Sequence, residues 1–346
     1  MSCFCSIVPP EVFRRLSKDP KLPADLRAGF ADAAAIGNQM RVVREQARRL
    51  TSLTSALMPG QAQLAPVAAK PDVTLYDCTH GTNLPGAPVP NPEKSSDATA
   101  KRAAVETRAV ADFYQQLFGR NSIDDAGMTM LSSIHYGVDF NNAFWNGTQM
   151  TYGDGDGKIF VDFTRGNDVI CHELTHGVTQ YCLQLAYKNE AGGLNESLSD
   201  VFGSMFRQWR GGQTVANADW LIGKDIIGPL ASARGYTCLR DLADPSATHC
   251  LAPQPKHYSK YKTGMDPHES SGIPNYAFYL IAKGIGGKSW EKAGRIWYQA
   301  ATVAGPKPNL RMAAFAKLTR TAASTLFSGD QKVIKAVDAG WKAVGL

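Results

Sequence analysis

A chain of 346 residues is longer than a typical single domain and can bury a large core, so two lobes, or a domain with an appendage, are expected. Apolar residues at 44% and charged residues at 20% exclude a disordered or fibrous chain, and no run reaches the ~18 consecutive apolar residues of a membrane span. A net charge of +6, with Lys and Arg scattered and no aromatics between them, argues against nucleic acid as a partner.

The opening residues, MSCFCSIVPPEVFRRLSKDP, contain no basic stretch leading into an apolar one, and two prolines break their hydrophobic run; a conventional signal peptide is not expected. Over residues 11–52, apolar and basic positions recur every three to four residues, which predicts a helical prologue. Residues 53–73, LTSALMPGQAQLAPVAAKPDV, are small, uncharged until Lys70 and contain proline, as expected of an accessible linker open to proteolysis. Between 74 and 163, short β-branched and aromatic runs alternate with turn residues, predicting an antiparallel strand-rich lobe interrupted by one helix over 97–118. Beyond Asp168 the pattern is helical, through DVICHELTHGVTQYCLQL, NESLSDVFGSMFRQWR, residues 274–284 and three closing amphipathic stretches. A β lobe followed by a helical lobe is the α+β class, with a substrate cleft expected at the junction.

Seven cysteines leave at least one thiol unpaired within the chain, and none has zinc-ribbon spacing. Cys238 and Cys250 flank a loop-like stretch; an oxidising compartment would let them pair and a reducing one would keep both thiols.

The chemistry concentrates in CHELTHGVTQ. His172 and His176 are four apart, so on a helix they share one face and can grip a single ion, with Glu173 beside them within reach of the metal's water. So short a match also arises by chance, as two surface histidines beside a helix-solvating glutamate. A hydrolytic zinc site needs a third protein ligand and an open position. Glu196 supplies one, on a helix expected to start after a turn at Gly192 and Gly193. An acidic residue in a first helical turn is favoured by the macrodipole in any case. That does not account for Asp200, four residues on along the same face, where it can accept the free imidazole N–H of a ligand.

HELTH and NES-x-SD, with nineteen residues between His176 and Glu196, together resemble the thermolysin family of metallopeptidases. The similarity runs from about residue 74 to the C-terminus, through NNAFWNGTQMTYGDGDG, LRDLADPS, PKHYSKY and HESSGIPNYAFYLIA. The resemblance implies a two-lobed α+β endopeptidase, with one Zn2+ held by His172, His176 and Glu196 and with Glu173 as the base acting on the zinc-bound water. It assigns Tyr187 and His268 to the developing oxyanion and Asp266 to the orientation of His268. Asn142 and Ala143 would bind the substrate backbone as an added strand, and Arg240 the carbonyl following the cleaved bond. The primed pocket would be lined by Phe160, Phe163, Val169, Ile222, Ile226 and Leu239, all apolar, which implies cleavage before large hydrophobic residues. Cys171 points off the metal face and reads as a packed thiol.

The chain departs from the family in two places. Of the side chains that hold a double Ca2+ site beside the active-site helix, Asp168 and Asp219 are acidic here, while Arg207, Leu221 and Lys224 fill the other positions. Cations cannot line an oxygen cage, so the double calcium site is expected to be lost and replaced by ion pairs; DGDG at Asp154–Gly157 reads as a β-turn. At the other end, CSIVPP and the helices after it resemble the short propeptide of protealysin-like enzymes. Residues 1–60 are then propeptide and linker, an intramolecular inhibitor of a zymogen, ahead of catalytic lobes over 70–178 and 179–346, with self-cleavage between about 50 and 73. Cys3 or Cys5 would reach the zinc as a thiolate only as the lesser alternative to a structural role. The expected partners are protein or peptide substrates, with no membrane and no nucleic acid, and the chain is expected to be a monomer. The family's habit is secretion, while the missing signal peptide leaves cytoplasmic retention or another export route open.

Overall fold

The computed structural model of the chain describes residues 5–35 and 71–346; Cys3, residues 36–52 of the prologue and the linker over 53–70 lie outside the described residues. The chain enters as a short strand, β1 (Cys5–Ser6), turns at Pro9 into helix α1 (Pro10–Ser17), and begins a second helix, α2, at residue 24. Pro10 occupies the first helical position, where its missing N–H costs nothing. Val12, Phe13 and Leu16 form the buried stripe of α1. Phe13 stacks on Phe30 at 6.1 Å and meets Phe160 edge-on at 6.4 Å, so the prologue packs against a wall of the main body.

Strands β2 (Val73–Asp77), β3 (Ala87–Pro88), β4 (Met130–Ile134), β5 (Ala143–Trp145) and β6 (Met150–Tyr152) join β1 in one six-stranded sheet of order β1-β5-β6-β4-β2-β3. The sheet is mixed, which corrects the antiparallel expectation: β2 pairs parallel with β4, and β4 with β6. The cause is helix α3 (Ala98–Phe118), which carries the chain back across the sheet so that β4 starts in the direction of β2. Asp97 caps α3 by accepting from Thr99 N at 2.8 Å, and Gly119 ends it at a φ of 69°, so the helix falls where the sequence predicts it. β1 adds antiparallel to β5 and completes an edge of the sheet with the chain's own N-terminal residues.

From residue 167 on the chain is mainly helical, with α4 (Asn167–Tyr181), α5 (Asn189–Arg210), α6 (Pro229–Ala233), a two-stranded ribbon of β7 (Leu221–Ile222) and β8 (Arg240–Asp241), α7 (Pro267–Ser270), α8 (Gly272–Ile285), α9 (Ala293–Thr302), α10 (Met312–Leu326) and α11 (Gln331–Ala343). The core of this part is aromatic, with Trp297 and Trp341 stacked at 5.7 Å. Among the described residues no helix is long and apolar enough to cross a membrane.

The turn expected at Gly192 and Gly193 is not there, since α5 starts at Asn189 and runs through both glycines. They are glycine for closeness: a Cβ on Gly193 would lie 2.4 Å from Ser270 Oγ, and one on Gly192 2.7 Å from Pro267 Cγ, so α7 can press against α5 only if both side chains are missing. The turn expected at Asp154–Gly157 falls at the far end of that segment, in a bend over residues 157–159, where Asp156 Oδ1 accepts the N–H groups of Lys158, Ile159 and Phe160, at 2.8, 2.7 and 3.2 Å.

Asp154 has a separate role. It lies 2.9 Å from Nδ1 of His135, whose Nε2 lies 2.9 Å from Asp97 Oδ2, so one imidazole joins the turn to the cap of α3. The bond to Asp154, opposed by burial and reinforced by Asp97, pushes His135 up to about 9. A raised folded-state pKa stabilises below the unfolded value of about 6.5 and loses that contribution as pH climbs through 9. The Tm advantage of the unmodified chain over His135→Gln is therefore expected to be constant below pH 6 and to shrink steadily between pH 6.5 and 9. A difference that stays flat across that window would remove the charge from this account.

Candidate active site

α4 and α5 pack side by side, and the spacing of His172 and His176 on one and the placement of Glu196 on the other turn all three side chains inward, fully buried. The two Nε2 atoms are 3.1 Å apart, and Glu196 Oε2 and Oε1 lie 3.4 Å from Nε2 of His172 and 3.5 Å from Nε2 of His176. A tetrahedral zinc ion about 2.0–2.1 Å from each donor would space them roughly 3.3 Å apart. Glu196 Oε2 and Glu173 Oε1 are buried and accept no hydrogen bond, an expensive state for carboxylate oxygens unless a cation or water faces them. Two imidazoles and a carboxylate converging beside such oxygens fit a zinc ion.

The supporting groups come mostly from α5. His172 Nδ1 lies 2.9 Å from Asp200 Oδ1, while His176 Nδ1 faces Asn195 Oδ1 at 2.7 Å and Ser199 Oγ at 3.1 Å. Asn195 and Ser199 have no part in the sequence reading; their helical offsets of −1 and +3 from Glu196 are the available signal. Asp200 also accepts two hydrogen bonds from Arg240, Nε to Oδ2 at 2.8 Å and Nη2 to Oδ1 at 2.7 Å, and one from Asn275 Nδ2 at 2.8 Å. Burial raises the Asp200 carboxyl, but Arg240 and His172 outweigh it and hold the group at about 2.

Glu173 Oε2 accepts the Trp145 N–H of β5 at 3.1 Å, which fixes the carboxylate between helix and sheet. Burial holds its carboxyl well above the usual range, with His172 pulling it down and Glu196 pushing it up. Across the pocket, Tyr187 donates to Glu196 Oε1 and its hydroxyl lies 3.2 Å from His268 Nε2. Asp266 caps α7 through the His268 N–H at 2.9 Å and faces His268 Nδ1 at 3.0 Å, so one carboxylate sets both backbone and ring. Gln254, absent from the sequence reading, donates from Nε2 to the His268 carbonyl and to Ser271 Oγ.

The chain's own residues 5–8 lie in the cleft. Ile7 N donates to Ala143 O at 3.2 Å, and Val8 exchanges two bonds with the Asn142 side chain, at 3.0 and 3.2 Å. Arg240 Nη1 donates to the Ile7 carbonyl at 2.9 Å, and the Ser6 carbonyl is 2.8 Å from His268 Nε2. Ile7 is fully buried in the cluster that holds Phe160, Phe163, Val169, Ile222, Ile226 and Leu239. Cys5 is disulfide-bonded, and its sulfur lies within 4.8 Å of donor atoms of His176 and Glu196. The Cys5 sulfur thus reaches the metal pocket, as the sequence allows, and does so as a disulfide sulfur. Cys171 is buried with its Sγ 3.5 Å from Phe202 O, off the metal face.

Where the family's calcium cage would lie, Arg207 Nη1 sits 2.6 Å from Asp225 Oδ2 and 3.7 Å from the fully buried Asp168. Its Nη2 lies 3.9 Å from Asp219, which Lys224 also meets at 3.2 Å. Asp225, the closest partner of Arg207, is the member of this cluster that the sequence reading lacks.

Comparison with known proteins bears on all of this. The family model for the thermolysin metallopeptidase catalytic domain matches residues 57–180, and that for the thermolysin metallopeptidase alpha-helical domain matches residues 184–346. An extracellular metalloprotease of Pectobacterium carotovorum subsp. carotovorum is 36% identical over 353 residues, covering 99% of this chain and 96% of that protein. A thermolysin of Bacillus sp. (strain EA1) is 37% identical over 289 residues, which are 79% of this chain and 51% of that one. The solved precursor of protealysin, a metalloproteinase from Serratia proteamaculans, is similar with a TM-score of 0.81 at 35% identity and 99% coverage of both chains. With both domains matched in sequence and a zinc-shaped donor set at their junction, this chain belongs to the thermolysin family of zinc-dependent metalloendopeptidases and has the organisation of a zymogen.

Proposed function

We propose that the mature protein hydrolyses peptide bonds before large hydrophobic residues, with Glu173 as the general base, and that residues 1–60 act as propeptide and linker. The observation that carries this reading is the grip on residues 5–8, whose backbone is held by Asn142, Ala143, Arg240 and His268 as an extended peptide added to β5. A substrate running the same way would present the carbonyl now belonging to Ser6 to His268 and Tyr187, and its next carbonyl to Arg240.

His172, His176 and Glu196 would hold Zn2+, which when bound supplies a Lewis acid that polarises the carbonyl and acidifies water. Glu173 takes the proton from the attacking water and hands it to the leaving nitrogen. Burial, which holds the Glu173 carboxyl well above its usual range, suits a group that must accept a proton and give it up again. His268, oriented by Asp266, and Tyr187 donate hydrogen bonds to the oxygen on which negative charge develops. Asp200 holds the His172 ring through Nδ1. The side chain following the cleaved bond enters the apolar cluster where Ile7 sits.

In this reading the propeptide inhibits by filling the substrate's place, and the enzyme acts as a monomer on protein or peptide substrates outside the cell; its relative's description as an extracellular metalloprotease supports the location. Arg207 and Lys224 neutralise Asp168, Asp219 and Asp225 where related enzymes hold calcium, so the double calcium site is absent.

Matured enzyme is expected to digest casein, and both a zinc chelator and Glu173→Gln should lower the rate roughly a thousandfold. A Glu173→Gln enzyme that keeps its activity would remove the base from this mechanism. In a peptide library, cuts are expected before Leu, Ile and Phe; a preference for charged residues there would contradict the apolar pocket. Added calcium is expected to leave Tm unchanged, and metal analysis finding more than one tightly bound calcium per chain would rule out the ion-pair replacement.

A further inference from the structure

Away from the catalytic centre, three donor side chains meet at the neck of the loop that carries β8. Cys238 and Cys250 are fully buried and face each other across an isolated backbone bridge outside the strands, with Leu251 N donating to the Cys238 carbonyl at 2.9 Å. Their sulfurs are 3.6 Å apart, and Cys238 Sγ is 3.7 Å from His249 Nδ1, with donor atoms of all three residues within 4.8 Å of one another. The far nitrogen of His249, Nε2, faces Asp241 Oδ2 at 3.4 Å. Asp241 is itself fixed, because its other oxygen accepts the N–H groups of Ala243 and Asp244 at 2.7 and 3.2 Å.

We propose that Cys238, His249 and Cys250 form a second metal site, taking a thiophilic divalent cation, Zn2+, with Asp241 orienting the histidine and Thr237 or water closing the coordination. Around a tetrahedral zinc with Zn–S near 2.3 Å and Zn–N near 2.0–2.1 Å, two sulfurs lie roughly 3.8 Å apart and a sulfur and a nitrogen roughly 3.6 Å apart. The observed 3.6 and 3.7 Å match both spacings. A disulfide would instead require the sulfurs to close by about 1.5 Å and gives no part to His249 or Asp241. A carboxylate behind a ligating imidazole is the usual partner that fixes its tautomer. Thr237 Oγ1, 2.8 Å from His249 Nδ1 and 3.8 Å from Cys238 Sγ, borders the cluster, and the His249 side chain is 39% exposed, which gives the ion a path of entry.

Binding releases one proton from each thiol, leaving two thiolates and a neutral imidazole on the ion. The ion would cross-link the two ends of the loop beside the buried Leu239 and beside Arg240, which grips the Ile7 carbonyl in the cleft. The two ions would take their ligands from separate stretches of sequence, 172–196 and 238–250, and serve different ends, one chemical and one structural.

The test uses the full chain carrying Glu173→Gln, so that self-digestion does not intervene, purified without oxygen and dialysed against zinc. Two zinc ions per chain are expected, falling to one in Cys250→Ser and in His249→Ala. With the catalytic site already filled by zinc, added cobalt should give a thiolate-to-cobalt charge-transfer band that Cys250→Ser abolishes. Should Cys250→Ser fail to fold, the stoichiometry and the band of the otherwise unmodified chain, with His249→Ala beside it, decide the matter. One zinc per chain with no such band, whether the two thiols remain free or are found joined as a disulfide, overturns the proposal.

Discussion

The Asp200–Arg240 pair is the constraint on which the cleft depends. Both side chains are fully buried, and they meet through two parallel hydrogen bonds while Asn275 satisfies a further position on the carboxylate. Burying two charges is costly, and such a pair stabilises little compared with apolar residues of the same volume; removing one partner alone costs about 3–5 kcal/mol. Its value here lies in what else the two groups hold. Asp200 faces the ring of His172, and Arg240 grips a backbone carbonyl in the cleft, so one ion pair fixes the distance between the metal pocket and the peptide that must lie against it. A guanidinium suits that position better than an ammonium, since its planar fork serves the carboxylate and the carbonyl at once.

The same carbonyl explains how an N-terminal segment can block a cleft without a large interface. The grip on residues 5–8 falls on their main chain, from the sheet edge and from the side chains of Asn142, Arg240 and His268, and any extended peptide offers the same backbone groups. The segment's advantage over a free peptide is its covalent attachment, which turns binding into an intramolecular step at high effective concentration. Helix α1 adds apolar anchorage through Phe13 against Phe30 and Phe160. Under the proposed function, cutting the linker would remove the concentration advantage while leaving the contacts of residues 5–8 intact, so that release would follow dilution.

What the sequence makes legible divides along a physical line. Helical periodicity locates α3, α4, α8 and the closing helices, and the four-residue spacing of His172 and His176 brings their rings together because it is a property of one helix. Strand direction is not local, so the parallel pairing of β2 with β4 is invisible until α3 is seen to cross the sheet. Gly192 and Gly193 mislead for a related reason, since a glycine pair reads as a turn unless the neighbour that forbids a side chain, here α7, is known. Gln254, Asn195 and Ser199 escape because ordinary polar residues carry no pattern; their roles arise from which imidazole or carbonyl the fold sets before them. Cys238 and Cys250 stand out by spacing, but what His249 adds depends on the direction of its ring.

The ion-pair cluster around Arg207 shows how a built-in cation differs from a bound one. Asp168 lies in the first turn of α4, fully buried, where burial raises its carboxyl against the opposing pull of Arg207 and of the Gly223 N–H, which donates to it at 2.7 Å. A carboxylate in that place needs positive charge, and it stands only four residues before His172, so its disorder would pass straight along the helix to the metal ligands. A bound cation would meet the need only while its concentration stays above its dissociation constant. A guanidinium anchored on α5 meets it at every concentration and links the two helices that carry the zinc ligands. The partners on its far side are more exposed, with Asp225 at 43% and Asp219 at 30%, so salt should weaken those contacts first and leave the buried link to Asp168 in place.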